Sequence, residues 1–358
     1  MATDEVLFEA RGGLGTVTLN RPAALNALTT AMAIAMNERL KAWARDPAIK
    51  AVLVRGAARK DGKVPFCAGG DIRALYDGRR DPEHRAGRAF YWHEYRLDRR
   101  VFHYPKPYLA FIDGVVMGGG VGISVHGSHR IVTENALFAM PETGIGLFPD
   151  VGGSYFLPRL PGRTGFYLGL TGERLKAADA LHLGVATQHV PAAGLDALER
   201  ALIEACRAKD ADGAIERALA ERRADPGAPP IAARMTAIAR AFSGSSVEAI
   251  CAALAAGSSE WERALGQMLN AKSPTSLKVA FRQMQKGAQL SFDECMRLEY
   301  RIALRVLEGC DFYEGIRAII IDKDGKPRWN PARLEEVSKA AVNAYFAPLS
   351  GGELNFED

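Results

Sequence analysis

Apolar residues recur along this chain with two different periods, and the change from one to the other divides it. The opening VLFEARGGLGTVTLNRP holds two short β-rich runs around Gly12, Gly13 and Gly15, which predicts a β-hairpin ending at Pro22. Residues 29 to 45 then repeat apolar positions at helical spacing (Met32, Met36, Leu40, Trp43), with Thr29 or Thr30 as N-cap, so a helix follows. AVLVRG (51–56) reads as a buried strand, PYLAFIDG (107–114) as another, MGGGVGISVHG as a turn into a helix, and HRIVT (129–133) again as a strand. That alternation predicts an α/β class.

Beyond about residue 190 the period becomes helical throughout. ALERALIEACRAK, PTSLKVAFRQMQ and FDECMRLEYRIALRVL are amphipathic. In the second of these, Leu277, Ala280, Phe281 and Met284 fall at i, i+3, i+4 and i+7, behind Ser273 as cap and Pro274 at the first helical position. The expected organisation is therefore an α/β part over residues 1–190, carrying any active site, and a mainly helical part over 191–358. DPGAPP (225–230) is the best linker candidate, although it separates two helical stretches; no repeat of solenoid period occurs.

With 358 residues, 48% hydrophobic and 25% charged, the chain can bury a sizeable core. A formal charge of +4, spread over the length, argues against a nucleic-acid footprint. The five cysteines (Cys67, Cys206, Cys251, Cys295, Cys310) are scattered and contain no C-x-x-C pair, so neither a disulfide framework nor structural zinc is expected. MATDEVLFEA lacks a basic and then apolar leader, and no apolar run approaches the roughly 18 residues of a membrane span. These features predict a cytoplasmic protein with no membrane partner.

Searches for known catalytic spacings narrow the chemistry. There is no G-x-x-x-x-G-K-[ST], no H-E-x-x-H and no G-x-S-x-G. The glycine cluster at 118–122 misses the dinucleotide pattern, since Ile123 stands where its last glycine is needed, which disfavours a nicotinamide oxidoreductase. What the cluster does offer is a glycine-rich turn opening a helix, whose unspent N–H groups suit developing negative charge, although tight helix packing explains it equally well. Gly69 and Gly70 in PFCAGGDIRAL form a second such turn, with Asp71 as cap of the next short helix. An oxyanion hole needs two donors from separate segments, and two glycine loops can supply them.

FAMPETGIGLFPDVGG (138–153) sets Glu142 and Asp150 among glycine, proline and apolar residues on a loop that reads as packed inward. Burial would raise both carboxyl pKa values toward neutrality and suit them to proton transfer; helix capping is the plainer alternative, better for Asp150 than for Glu142. Glu94, in the Arg-rich helix of residues 86–103, looks by composition like part of a solvated face. His126 and His129 form only a pair, too few for a metal site, so no metal is expected.

The stretches FCAGGDIRAL, KPYLAFIDGVVMGGGVGISV and FAMPETGIGLFPDVGGSYFLPRL resemble the crotonase (enoyl-CoA hydratase/isomerase) superfamily, and together resemble a hydrolase branch of it, over about residues 5–350. The resemblance implies a crotonase-like spiral of repeated ββα units with a helical C-terminal region. It implies a small acyl-CoA substrate and no separate cofactor, coenzyme A being part of the substrate, and a homo-oligomer as a common state. The two oxyanion N–H groups map onto Gly70 and Gly119, and coenzyme A onto Ala24, Leu25, Ala68, Gly70, Asp71 and Ile72. Glu142 and Asp150 become the catalytic acids, with Glu94 and Gly119 beside the substrate. Hydratases of the family carry a glutamate where this chain has Gly122, so their acid pair is incomplete here. Hydrolysis of a short hydroxyacyl-CoA thioester, 3-hydroxyisobutyryl-CoA foremost, is the implied activity. A hydratase or isomerase on the same fold, or a non-catalytic CoA-ester binding protein, are the alternatives.

Overall fold

The computed structural model describes residues 4–356. Strand β1 (Val6–Arg11) turns back through Gly12 and Gly13 into β2 (Leu14–Leu19), the expected antiparallel hairpin. Thr29 caps the helix Thr30–Arg45, its hydroxyl accepting from the Met32 N–H at 3.2 Å, and Met32, Met36, Leu40 and Trp43 form the buried stripe of that helix.

Six further strands follow: β3 (Ala51–Gly56), β4 (Tyr108–Ile112), β5 (Val115–Met117), β6 (His129–Val132), β7 (Leu137–Ala139) and β8 (Gln188–His189). One sheet has the order β1-β2-β3-β4-β6-β8, parallel from β2 onward; β5 and β7 pair separately. Parallel strands covered on both faces read as unbroken apolar runs, which is why AVLV and YLAFI carry no alternation. On one face Leu14, Leu53, Leu109 and Ile131 pack with Leu198, Leu202, Ile215 and Leu219.

The described chain forms two compact units. One comprises residues up to Gly70, Arg96–Phe138 and Leu175–Pro230; the other comprises Asp71–Tyr95, Ala139–Arg174 and everything from Ile231. The division expected near residue 190 is thus replaced by an interleaved one. Helices Leu195–Cys206 and Ala211–Ala220 join the sheet unit because their apolar stripes complete its core. Residues 139–174 join the helical unit for a steric reason given below. The linker DPGAPP does end a segment, at Pro230.

The helical unit contains Pro274–Gly287 and Phe292–Glu308, close to their predicted bounds, with Ser273 and Ser291 as N-caps. Leu277, Ala280, Phe281 and Met284 are buried, as the spacing predicts. Helix Asp311–Ile316 lies against the 3-10 turn Glu142–Ile145 at main-chain distance: a Cβ built on Gly315 would stand 2.4 Å from the Ile145 carbonyl, and one on Gly146 would stand 2.3 Å from that of Asp311. Only paired glycines permit that approach, and it ties the acid-bearing loop to the C-terminal helices.

Gly315→Ala is therefore expected to destabilise the protein by about 1–3 kcal/mol through overpacking. A lowered urea midpoint with an unchanged slope is the reading to look for; an unchanged midpoint would mean that the turn and helix separate freely.

Candidate functional site

In the sheet unit, the segment Phe66–Gly70 runs between two others. On one side the Ala68 N–H donates to the Leu25 carbonyl at 3.0 Å, and the Leu28 N–H to the Gly69 carbonyl at 2.8 Å. On the other, the Cys67 N–H donates to Val115 and the Met117 N–H to the Cys67 carbonyl, each at 3.0 Å. Cys67 and Val116 form a parallel bridge, so Gly70 and Gly119 stand at equal offsets, three residues beyond it. A Cβ at Gly69 would lie 3.9 Å from the Gly119 nitrogen, and one at Gly120 only 2.3 Å from the Cys67 carbonyl oxygen.

Gly119 opens the helix Gly119–Val125 after Gly118, whose φ of 45° makes the turn. Neither the Gly70 nor the Gly119 N–H donates to any group among the described residues. The two glycine loops predicted to supply oxyanion donors are thus brought side by side, with both donors unspent. Ala24, Leu25 and Ala68 line the same region, where Leu25 and Asn26 adopt left-handed φ values of 52° and 57°. Asn26 holds this loop by donating to the Pro65 carbonyl at 2.7 Å, a support the sequence reading missed.

In the helical unit, Glu142 begins its 3-10 turn and is 4% exposed, as is Asp150. Burial, and secondarily the charge of Asp150, push the Glu142 carboxyl well above the ordinary carboxylate range, against a partial offset from the half-buried Lys272 cation. Its Oε2 accepts no hydrogen bond among the described residues. Buried polar atoms are normally paired, so this one retains its desolvation cost, as functional groups do. Burial raises Asp150 to about 7, although the Tyr95 hydroxyl donates to its Oδ2 at 2.9 Å and opposes the rise.

Glu94 is 1% exposed, which corrects its reading as part of a solvated face. The buried stripe of helix Arg85–Phe102 passes through Tyr91, Glu94, Tyr95 and Asp98, so acids occupy positions that the spacing assigns to core residues. Tyr91 feels the charges of Asp150, Glu94 and Glu142 together, which brings all three predicted acids into one neighbourhood of this unit. Asp71 has the capping role that composition suggested: its carboxylate accepts from the Ala74 N–H at 3.2 Å at the start of the helix Ile72–Asp77. His129 Nε2 lies 2.8 Å from Glu216, and no cluster of three metal-ligating residues occurs among the described residues.

Tyr95 and Lys272 were not anticipated. Tyr91 and Tyr95, four apart on one helix with rings 5.5 Å apart, gave a periodic signal that an acid partner should have sharpened. Lys272 follows no motif. A Cβ on Gly144 would stand 3.1 Å from its Nζ, so the glycine leaves room for the cation beside the turn.

Comparison with known proteins adds to this geometry. A match to the enoyl-CoA hydratase/isomerase family covers residues 14–346. A mitochondrial 3-hydroxyisobutyryl-CoA hydrolase of Danio rerio is 44% identical over 99% of this chain and 92% of its own length. Two solved structures superpose over 99% of the chain: a carnitinyl-CoA dehydratase of Mycobacterium thermoresistibile, covered over 99% of its length (TM-score 0.91, 40% identity), and an enoyl-CoA hydratase of Rhodobacter sphaeroides 2.4.1, covered over 100% (TM-score 0.89, 37% identity). The crotonase-like α/β fold with a helical C-terminal region is borne out.

The expectation of a cytoplasmic protein is overturned, because the curated relative matched along almost all of this chain is named as mitochondrial. Scattered free thiols indicate reducing surroundings and do not distinguish one reducing compartment from another. Among the described residues no helix is long and apolar enough to cross a membrane.

A buried carboxyl whose folded pKa is raised costs stability once it ionises. For Asp150 that cost is absent below its ordinary value of 3.8, grows as pH rises, and is complete above about 7. Asp150→Asn is accordingly expected to raise Tm at pH 8, by roughly 2–4 °C for each kcal/mol relieved, and to match the parent near pH 3.5. A Tm difference independent of pH, followed by scanning calorimetry, would contradict this.

Proposed function

Because the chain belongs to the enoyl-CoA hydratase/isomerase family, we propose that it is a thioester hydrolase converting 3-hydroxyisobutyryl-CoA and water to 3-hydroxyisobutyrate and coenzyme A, a step of valine breakdown. The observation that carries this reading is a buried pair of elevated carboxyls, Glu142 and Asp150, in a chain whose residue 122 is glycine. The name of the Danio rerio relative supports the same reading. The two solved structures, a dehydratase and a hydratase by name, favour a second one, addition of water to an enoyl thioester, which position 122 speaks against.

In the proposed reaction the Gly70 and Gly119 N–H groups hold the thioester carbonyl oxygen. Attack at the carbonyl carbon moves an electron pair onto that oxygen, where each preorganised donor contributes about 10²–10³ in rate. In one route Glu142 takes a proton from water as the water oxygen bonds to carbon; collapse then breaks the C–S bond and the proton passes to the departing thiolate. In the other, the Glu142 carboxylate forms the C–O bond, thiolate leaves, and water activated by Asp150 cleaves the mixed anhydride.

Glu94 contacts the 3-hydroxyl of the acyl group or supports the acid pair. Ala24, Leu25, Ala68 and Ile72 take the coenzyme A moiety, while Asp71, with its carboxylate engaged as a cap, contributes mainly by shaping the loop. Nothing in these steps calls for a cofactor beyond the coenzyme A of the substrate. Self-association belongs to the same proposal and is checked by light scattering.

Steady-state thiol release from 3-hydroxyisobutyryl-, 3-hydroxypropionyl- and crotonyl-CoA tests the assignment. Release from the hydroxyacyl esters is expected, falling as pH drops below about 7 and Asp150 takes up its proton. Glu142→Gln is expected to lower it by about 10³-fold or more while ester binding persists, as for loss of a base or nucleophile. Disappearance of crotonyl-CoA absorbance without free thiol would establish the hydratase reading instead, and tight ester binding without turnover would establish a binding protein.

A further inference from the structure

One buried carboxylate has no part in the steps above. Glu299, in the helix Phe292–Glu308, is fully buried. An acid so placed carries a heavy desolvation cost unless donors surround it, and a leucine or methionine would serve the helix better. Its oxygens accept from the Gly152 N–H at 2.8 Å, from the Ser154 N–H at 2.9 Å and from the Ser154 hydroxyl. All three donors lie on the turn that carries Asp150.

That turn is strained. Val151 has a φ of 50° and Gly152 one of 86°, and the left-handed region is unfavourable for a β-branched residue. Such a conformation persists only where its surroundings over-determine it. Glu299 grips the turn at Gly152 and at Ser154 beyond it, the Gln283 amide donates to the Pro149 carbonyl at 2.5 Å before it, and the Gly153 N–H closes onto the Asp150 carbonyl at 2.7 Å. Between these grips the Asp150 side chain has one further fixed contact, the Tyr95 hydroxyl.

We propose that Glu299 is a positioning residue for Asp150: by clamping the Gly152 and Ser154 N–H groups it holds the strained turn and fixes the direction of the Asp150 carboxyl. This inference rests on the hydrolase reading for its kinetic consequence, though not for its structural one. The clamp has an electrostatic side as well. Burial pushes Glu299 to about 8, and Asp150 adds to the rise. The groups that face it are Asp150 and Ser154 on the turn, Tyr95 on the helix Arg85–Phe102, and Cys295 on its own helix, with the Arg159 cation acting on Cys295.

Glu299→Gln and Ser154→Ala in the full chain test the proposal by two readouts. For Glu299→Gln, kcat of thiol release is expected to fall by about 10- to 100-fold, as for a misplaced catalytic group, with KM within about threefold. The acid limb of its pH profile stays near 7, because Glu299, pushed up to about 8, still holds its proton where Asp150 titrates and places no charge beside it; with the folded fraction matched by calorimetry, a kcat loss at a kept KM marks misplacement, which a merely structural loss would not give. Amide hydrogen exchange in residues 151–154 rises in both variants, with a smaller kcat loss for Ser154→Ala, which keeps both main-chain grips. Exchange and kcat both unchanged in Glu299→Gln would overturn the proposal. If that variant fails to fold, unchanged exchange and kcat in Ser154→Ala would overturn it equally. If the parent protein releases no thiol from any ester the hydrolase reading falls, while the exchange measurement still decides the clamp.

Discussion

The carbonyl of Cys67 leaves room at residue 120 for a hydrogen and nothing larger, and the sheet-bearing unit's chemistry depends on that contact. A Cβ there would meet the oxygen at 2.3 Å, so any side chain would push the Phe66–Gly70 segment away from Val115–Gly119. With glycine the segments stay in parallel register, and the ladder that joins them ends before Gly70 and Gly119. Two N–H groups are then left at equivalent positions with no partner among the described residues. The dipole of the helix beginning at Gly119 adds to one of them, although that helix has only seven residues. The pair of amides proposed to hold the thioester oxygen thus arises as the unspent end of a sheet-like ladder, with no side chain required to build it.

The helical unit answers a different problem, that of keeping carboxyls out of water. Glu94, Glu142, Asp150 and Glu299 are each at most 4% exposed, and burial heads the causes that shift Glu142, Asp150 and Glu299 upward. The compensation is unequal. Glu299 has three donors, Asp150 has the Tyr95 hydroxyl, and one Glu142 oxygen has none among the described residues. Under the proposals above the well-satisfied Glu299 braces the loop, while Glu142 keeps a buried oxygen whose desolvation no hydrogen bond among the described residues offsets. The C-terminal helices make the arrangement possible, since Glu299, Gln283 and the Gly315 contact all reach back to residues 145–154.

What was legible in the sequence had local causes. The hairpin, the capped helix at Thr30–Arg45 and the helix at Pro274–Gly287 follow from turn glycines, caps and spacing within a few residues. The two glycine loops were also readable, although only the family resemblance singled out Gly70 and Gly119 from their neighbours. What escaped depends on pairings across the chain. Ser154 and Glu299 are 145 residues apart, and Asp150 and Tyr95 are 55 apart, distances over which no periodicity speaks. Glu94 was misjudged because charge was given more weight than its place in a helical stripe. The interleaved units were unreadable for the same reason: helices from residue 191 onward complete a sheet core that begins at residue 6.

The acid pair bears on the choice between hydrolysis and hydration. Two neighbouring buried carboxyls oppose each other's ionisation. Burial raises Asp150 to about 7 and holds Glu142 well above the ordinary carboxylate range, with the charge of Asp150 adding to the rise of Glu142. Hydrolysis asks for a base and then an acid, a proton taken from water and then returned to the departing thiolate. A hydratase of this family divides the work between acids on two different segments, and here the segment ending in Gly122 supplies none. The hydrolysis proposed above draws its base and its proton donor from this one pair, whereas hydration would have to be run without an acid at position 122.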